Sequence, residues 1–107
     1  MPHIVIEHSV GLKVDAAMQD LQSLVCNFGE FNPASVKSRS IAFTDFILPD
    51  DNVDFVHVTI SIMAGRALEL RKSLADQAFV ILQQNFADVN NVSIDIREMV
   101  AETYRKK

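Results

Sequence analysis

The sequence predicts an α+β fold, a four-stranded mixed sheet built from two βαβ units with both helices on one face. Three observations lead there: two amphipathic helical stretches, four strand-like runs, and a strand, helix, strand order that occurs twice. With 107 residues, 49% of them hydrophobic, the chain carries enough apolar material for one core, and residues 1–107 are read as a single domain.

The first run, PHIVIEHS, sets Ile4 and Ile6 against His3 and Val5, a short strand with apolar character on both faces that Gly11 ends. VDAAMQDLQSLVCNF follows, with Val14, Ala17, Met18, Leu21, Leu24, Val25 and Phe28 at helical spacing before Gly29. Asn32 and Pro33 mark a loop. SVKSRSIAFTDFIL, over 35–48, reads as a second strand, bulged or broken where Ile41, Ala42 and Phe43 interrupt the alternation. PDDNVD is an acidic turn.

FVHVTISI is the strongest strand and is expected at the centre of a sheet. After MAGR, a helix over about 67–86 places Leu70, Leu74, Ala78, Ile81 and Leu82 on one side and Arg71, Lys72, Asp76 and Gln83 on the other. Asn90 and Asn91 turn the chain into VSIDIREM, a fourth strand. The tail VAETYRKK is expected to add a short helix or to pack on a neighbour. Strands apolar on both sides with helices on only one leave a sheet face uncovered, so self-association is expected to cover it.

The formal net charge is -4, from 10 basic and 14 acidic residues, with no basic block before the last few positions. That argues against nucleic acid as a partner. No apolar stretch is long enough to span a membrane, and the start lacks the pattern of a secretory signal, so a cytoplasmic location is expected. The lone Cys26 forms no C-x-x-C pair and lies in a helical pattern, where it reads as a small core residue. His3, His8 and His57 have no metal-ligand spacing, and no glycine-rich nucleotide motif occurs, so no metal or cofactor is expected.

Pro2 has two readings. As structure, it is a proline at the first position of a strand, where no ladder N–H is missed. As chemistry, removal of Met1 leaves it with a free secondary amine, a general base if apolar surroundings and positive charge depress its pKa. Arg66 stands after a strand and a glycine and before a helix, placed either to receive an anion or to pair with Glu69 at the surface. Lys37 and Arg39, two residues apart on a strand, share a face and form a basic patch or a second anion-binding pair.

MPHIVIEHS at the start, FVHVTISIMAGR in the centre and LELRKSLADQAF after it, at their mutual spacing, resemble the 5-carboxymethyl-2-hydroxymuconate delta-isomerase family of the tautomerase superfamily. The resemblance covers nearly the whole chain, with a shorter carboxyl end. It implies a trimer of the double βαβ fold, with sites near subunit interfaces. It also implies that a processed Pro2 moves a proton between carbons of an unsaturated keto acid, that Arg66 binds or polarises a carboxylate or carbonyl, and that no cofactor takes part. The family's second pocket arginine falls on Lys37, with Arg39 matching the next arginine along. Lysine keeps the charge but lacks the planar fork of arginine.

The leading expectation is therefore a cofactor-independent isomerase acting on a small anionic dienol or keto acid. A related tautomerase with another keto acid, and a trimer that binds or assembles without turnover, are the alternatives. Acetylating the amino terminus separates enzyme from scaffold, and comparing mono- with dicarboxylates separates the two enzymes.

Overall fold

The computed structural model describes residues 1–107. Its elements are β1 (His3–Ser9), α1 (Asp15–Cys26), β2 (Lys37–Phe43), β3 (Phe55–Met63), α2 (Leu68–Asn85) and β4 (Asn91–Met99). Single 3-10 turns lie at Pro33–Ser35 and Ala101–Thr103. The sheet order is β2-β1-β3-β4, with β1 parallel to β2, β3 parallel to β4, and the two central strands antiparallel. This is the expected mixed sheet of two βαβ units.

One apolar layer joins sheet to helices. Ile4 and Ile6 of β1 and Val56, Val58, Ile60 and Ile62 of β3 are buried at every second position. Ala17, Leu21 and Val25 of α1, then Leu74, Ala78 and Leu82 of α2, recur every four residues and meet that layer. Neither helix has a side-chain N-cap bond, so packing of these stripes supplies most of their stability. Leu74 is fully buried, and Leu74→Ala is expected to cost about 2–5 kcal/mol in urea unfolding. No helix is long and apolar enough to cross a membrane.

Three expectations are corrected. The second strand does not run over 35–48: Asn32 caps a 3-10 turn by accepting from the Ala34 N–H at 3.1 Å, and the strand begins only at Lys37. It ends at Phe43 because its partner β1 ends opposite, at Ser9. No bulge interrupts it, since the register runs unbroken from His3 opposite Lys37 to Ser9 opposite Phe43.

The third correction concerns the open sheet face. It is polar over much of its area, and the registers arrange it in rows: Lys37, His3, Ser61 and Arg97, then Arg39, Val5, Thr59 and Asp95, then Ile41, Glu7, His57 and Ser93. Alternation in β1 and β3 thus buries one face and leaves the other mixed. The tail folds back onto its own chain, where the Tyr104 hydroxyl lies 2.8 Å from His3 Nε2.

Candidate active site

The registers bring four strand ends together. The amino ends of β1 and β2 and the carboxyl ends of β3 and β4 share one end of the sheet. Pro2, Lys37 and Arg66 all belong to that end, although 64 positions separate the first from the last. Arg39 stands two residues further in along β2, on the open face with Lys37.

Pro2 is fully buried and continues the buried series of Ile4 and Ile6. Its carbonyl accepts a hydrogen bond from the Lys37 N–H at 3.1 Å, which anchors the first residue to β2. While Met1 is attached, the proline nitrogen is an amide without basicity. The Met1 amine donates to the Ser35 carbonyl at 3.1 Å, and Lys37 Nζ donates to the same oxygen at 3.2 Å. Burial first, then the charges of Lys106 and Lys37, hold this amine below the ordinary α-amino pKa.

His3 points to the opposite face. Arg39 Nη1 lies 3.1 Å from His3 Nδ1, and an arginine can only donate, so Nδ1 accepts and the proton sits on Nε2, facing the Tyr104 oxygen. Burial, followed by Arg39, Lys37, the amino terminus and Lys106, lowers the His3 pKa from the ordinary histidine value. The neutral imidazole is thus favoured by the fold. Its stabilising contribution is present above the ordinary histidine range and is lost as pH falls through the lowered value. Tyr104 is the single tyrosine and the chain has no tryptophan, so its signal reports on the tail. Acidification from pH 7 towards 5 is expected to shift the Tyr104 NMR resonances, and His3→Ala to abolish that titration.

Arg66 has different neighbours from those expected. Its Nη1 is 3.9 Å from Glu30 Oε2, in place of Glu69, and its guanidinium carbon lies 4.6 Å from the centre of the Phe31 ring. Two glycines shape these approaches. Gly29 at φ +90° and Gly65 at φ +109° hold left-handed backbone just before the Glu30–Phe31 pair and just before Arg66. A Cβ at either would meet no atom within 4 Å, so the need for glycine is conformational. Glu30, Met63, Ala64, Gly65, Arg66, Ala67 and Leu70 line an open cavity of about 380 Å³.

Two larger concavities, of about 660 and 720 Å³, lie along the helices and contain no lysine, arginine or histidine in their walls. The cationic side chains Lys37 and Arg66 stand at the sheet end instead. No three His, Cys, Asp or Glu side chains gather to hold a metal. His57 Nδ1 meets Ser93 Oγ at 2.6 Å within the sheet, and Cys26 is half-buried against the core. The Glu30–Phe31 pair and the tail residues Tyr104 and Lys106 were not foreseen, since all are distant in sequence from the strand ends they reach.

The profile of the 5-carboxymethyl-2-hydroxymuconate isomerase family matches residues 2–107. The chain belongs to this family. It is 30% identical over 93 residues to the 5-carboxymethyl-2-hydroxymuconate Delta-isomerase of Escherichia coli, covering 81% of this chain and 74% of that one. The fold is similar to the crystal structure of a 5-carboxymethyl-2-hydroxymuconate isomerase from Deinococcus radiodurans R1, with a TM-score of 0.88, 25% identity, and coverage of 99% of this chain and 88% of that one. It is also similar to a fused 4-OT symmetric trimer, with a TM-score of 0.79 at 12% identity, over 94% of this chain and 88% of that one. The family is one of isomerases in the tautomerase superfamily, in agreement with the resemblance carried by MPHIVIEHS and FVHVTISIMAGR.

Proposed function

We propose that the protein is a cofactor-independent isomerase that shifts a proton along the conjugated system of an unsaturated 2-hydroxy or 2-keto acid, with 5-carboxymethyl-2-hydroxymuconate as the substrate it fits best. The observation that carries this reading is that the amino terminus, Lys37 and Arg66 belong to the same end of the sheet in a member of this family. After Met1 is removed, the Pro2 amine takes the proton from the 2-hydroxyl or an adjacent carbon and returns it to a carbon further along. Its basicity near neutrality is supported by the surroundings that already depress the Met1 amine. Arg66 binds a carboxylate or carbonyl and stabilises the negative charge that develops on oxygen, while Lys37 and Arg39 hold a second anionic group.

Association into a homotrimer belongs to this reading. It is supported by the symmetric trimer of similar fold and by a sheet face that the two helices leave uncovered. Because that face sets Lys37, Arg39 and Arg97 near Glu7 and Asp95, pairing between copies would rest partly on charge as well as on Val5 and Ile41. A cytoplasmic setting also belongs to the reading. One preparation tests the whole: intact mass is expected to show the loss of Met1, light scattering three chains, and ultraviolet absorbance the ketonisation of 5-carboxymethyl-2-hydroxymuconate. Robust turnover with Met1 retained would exclude Pro2 as the base.

A second reading, a tautomerase for a different small keto acid, is favoured by Lys37. Its ammonium is a point charge that does not grip a planar carboxylate in two places. A monocarboxylate turned over faster than the dicarboxylate would decide for it.

A further inference from the structure

We propose that Phe31 and Glu30 set the working state of Arg66, Phe31 as a positioning residue that holds the guanidinium and Glu30 as an internal anion that an incoming substrate carboxylate must displace. The inference rests on Arg66 being a substrate-binding group.

The geometry is that of a loop built to meet one side chain. After α1 ends at Cys26, Gly29 turns the backbone and delivers two successive residues to the same arginine. The guanidinium carbon is 4.6 Å from the Phe31 centroid, and the Glu30 carboxylate is 3.9 Å from Nη1. Phe31 does not swing freely, because it stacks on Phe28 with ring centres 5.9 Å apart and both rings pack against the core. A fixed aromatic face attracts a cation and limits its positions without consuming its in-plane N–H donors. Those donors stay available for a ligand.

Glu30 behaves differently. Its side chain is 52% exposed against 33% for Arg66, and the contact is long, so the pair is weak and screened by salt. Glu30 also lines the same cavity as Arg66, where its charge opposes an anionic ligand. A weak internal carboxylate keeps the arginine oriented when the cavity is empty and yields to a substrate that brings its own. It also sets a threshold, since a ligand without a carboxylate cannot replace what it displaces.

Steady-state kinetics with 5-carboxymethyl-2-hydroxymuconate on the processed protein test this. Glu30→Gln is expected to lower KM about two- to five-fold with kcat little changed, and to steepen the dependence of KM on salt because one opposing charge is gone. Phe31→Leu is expected to raise KM about three- to ten-fold, and Phe31→Tyr, which keeps the aromatic face, to restore it. Loss of packing alone would not be rescued selectively by an aromatic ring or divide KM from kcat. Should Phe31→Leu fail to fold, the exposed Glu30→Gln still decides. Unchanged KM in Glu30→Gln and in a folded Phe31→Leu, with Arg66→Ala impaired, overturns this inference and leaves the site reading standing. Full activity in Arg66→Ala overturns both.

Discussion

Acetylation of the Pro2 amine in the processed protein is expected to lower kcat/KM for 5-carboxymethyl-2-hydroxymuconate by about 10²–10⁴-fold, the range for loss of a positioned general base. The reagent can be made selective. An amine whose pKa is depressed by burial and neighbouring positive charge loses its proton at lower pH than the lysines, so acylation near neutrality favours it. The fold should survive, because the Pro2 carbonyl keeps its bond to the Lys37 N–H and the core is untouched. Pro2→Ala makes a useful companion: it retains an amine but loses the ring that fixes its direction, so part of the activity should remain. One acetyl group per chain, placed on Pro2 by mass spectrometry, with undiminished turnover would remove the amine from the mechanism.

The second large effect is expected at Arg66. Arg66→Ala should lower kcat/KM about 10²–10³-fold, the usual loss when one donor to a developing oxyanion is removed. Stability should change by no more than about 0.5 kcal/mol, since a partly exposed surface pair contributes little. Arg66→Lys should fall between, because the charge persists while the planar set of donors does not. Equal turnover by the alanine variant and the wild type, at substrate concentrations below KM, would show that the oxyanion is stabilised elsewhere.

Periodicity made most of the fold legible. Ile4 and Ile6, Val56 through Ile62, and the four-residue stripes of α1 and α2 appear in the sequence with the spacing that buries them. The limits of β2 were not legible from its own residues. Phe46, Ile47 and Leu48 read as strand beyond its true end at Phe43, because that end is set by where β1 stops. The character of the open face is hidden for a related reason: Val5 gives β1 an apolar residue on that side, and only the register shows the rows of Lys37, His3 and Arg97 around it.

The candidate site divides in the same way. Pro2, Lys37, Arg39 and Arg66 could be singled out because each stands at a strand end or on a strand and carries suitable chemistry. The partner of Arg66 could not, since local spacing favours Glu69 and the fold supplies Glu30. Contacts between residues this far apart along the chain depend on loop path, here on two left-handed glycines, and hydrophobic pattern carries no trace of it.

The bond between His3 and Tyr104 draws the last residues of the chain back beside the first ones. Both termini therefore lie beside the same end of the sheet, and this limits how the molecule can be handled. An affinity tag ahead of Pro2 would block the amine, one appended to Lys107 would hang close by, and a linker joining the ends, though short, would consume the nitrogen proposed as the base. The far end of the sheet, at the turn between β2 and β3, is the place to attach a dye or a surface.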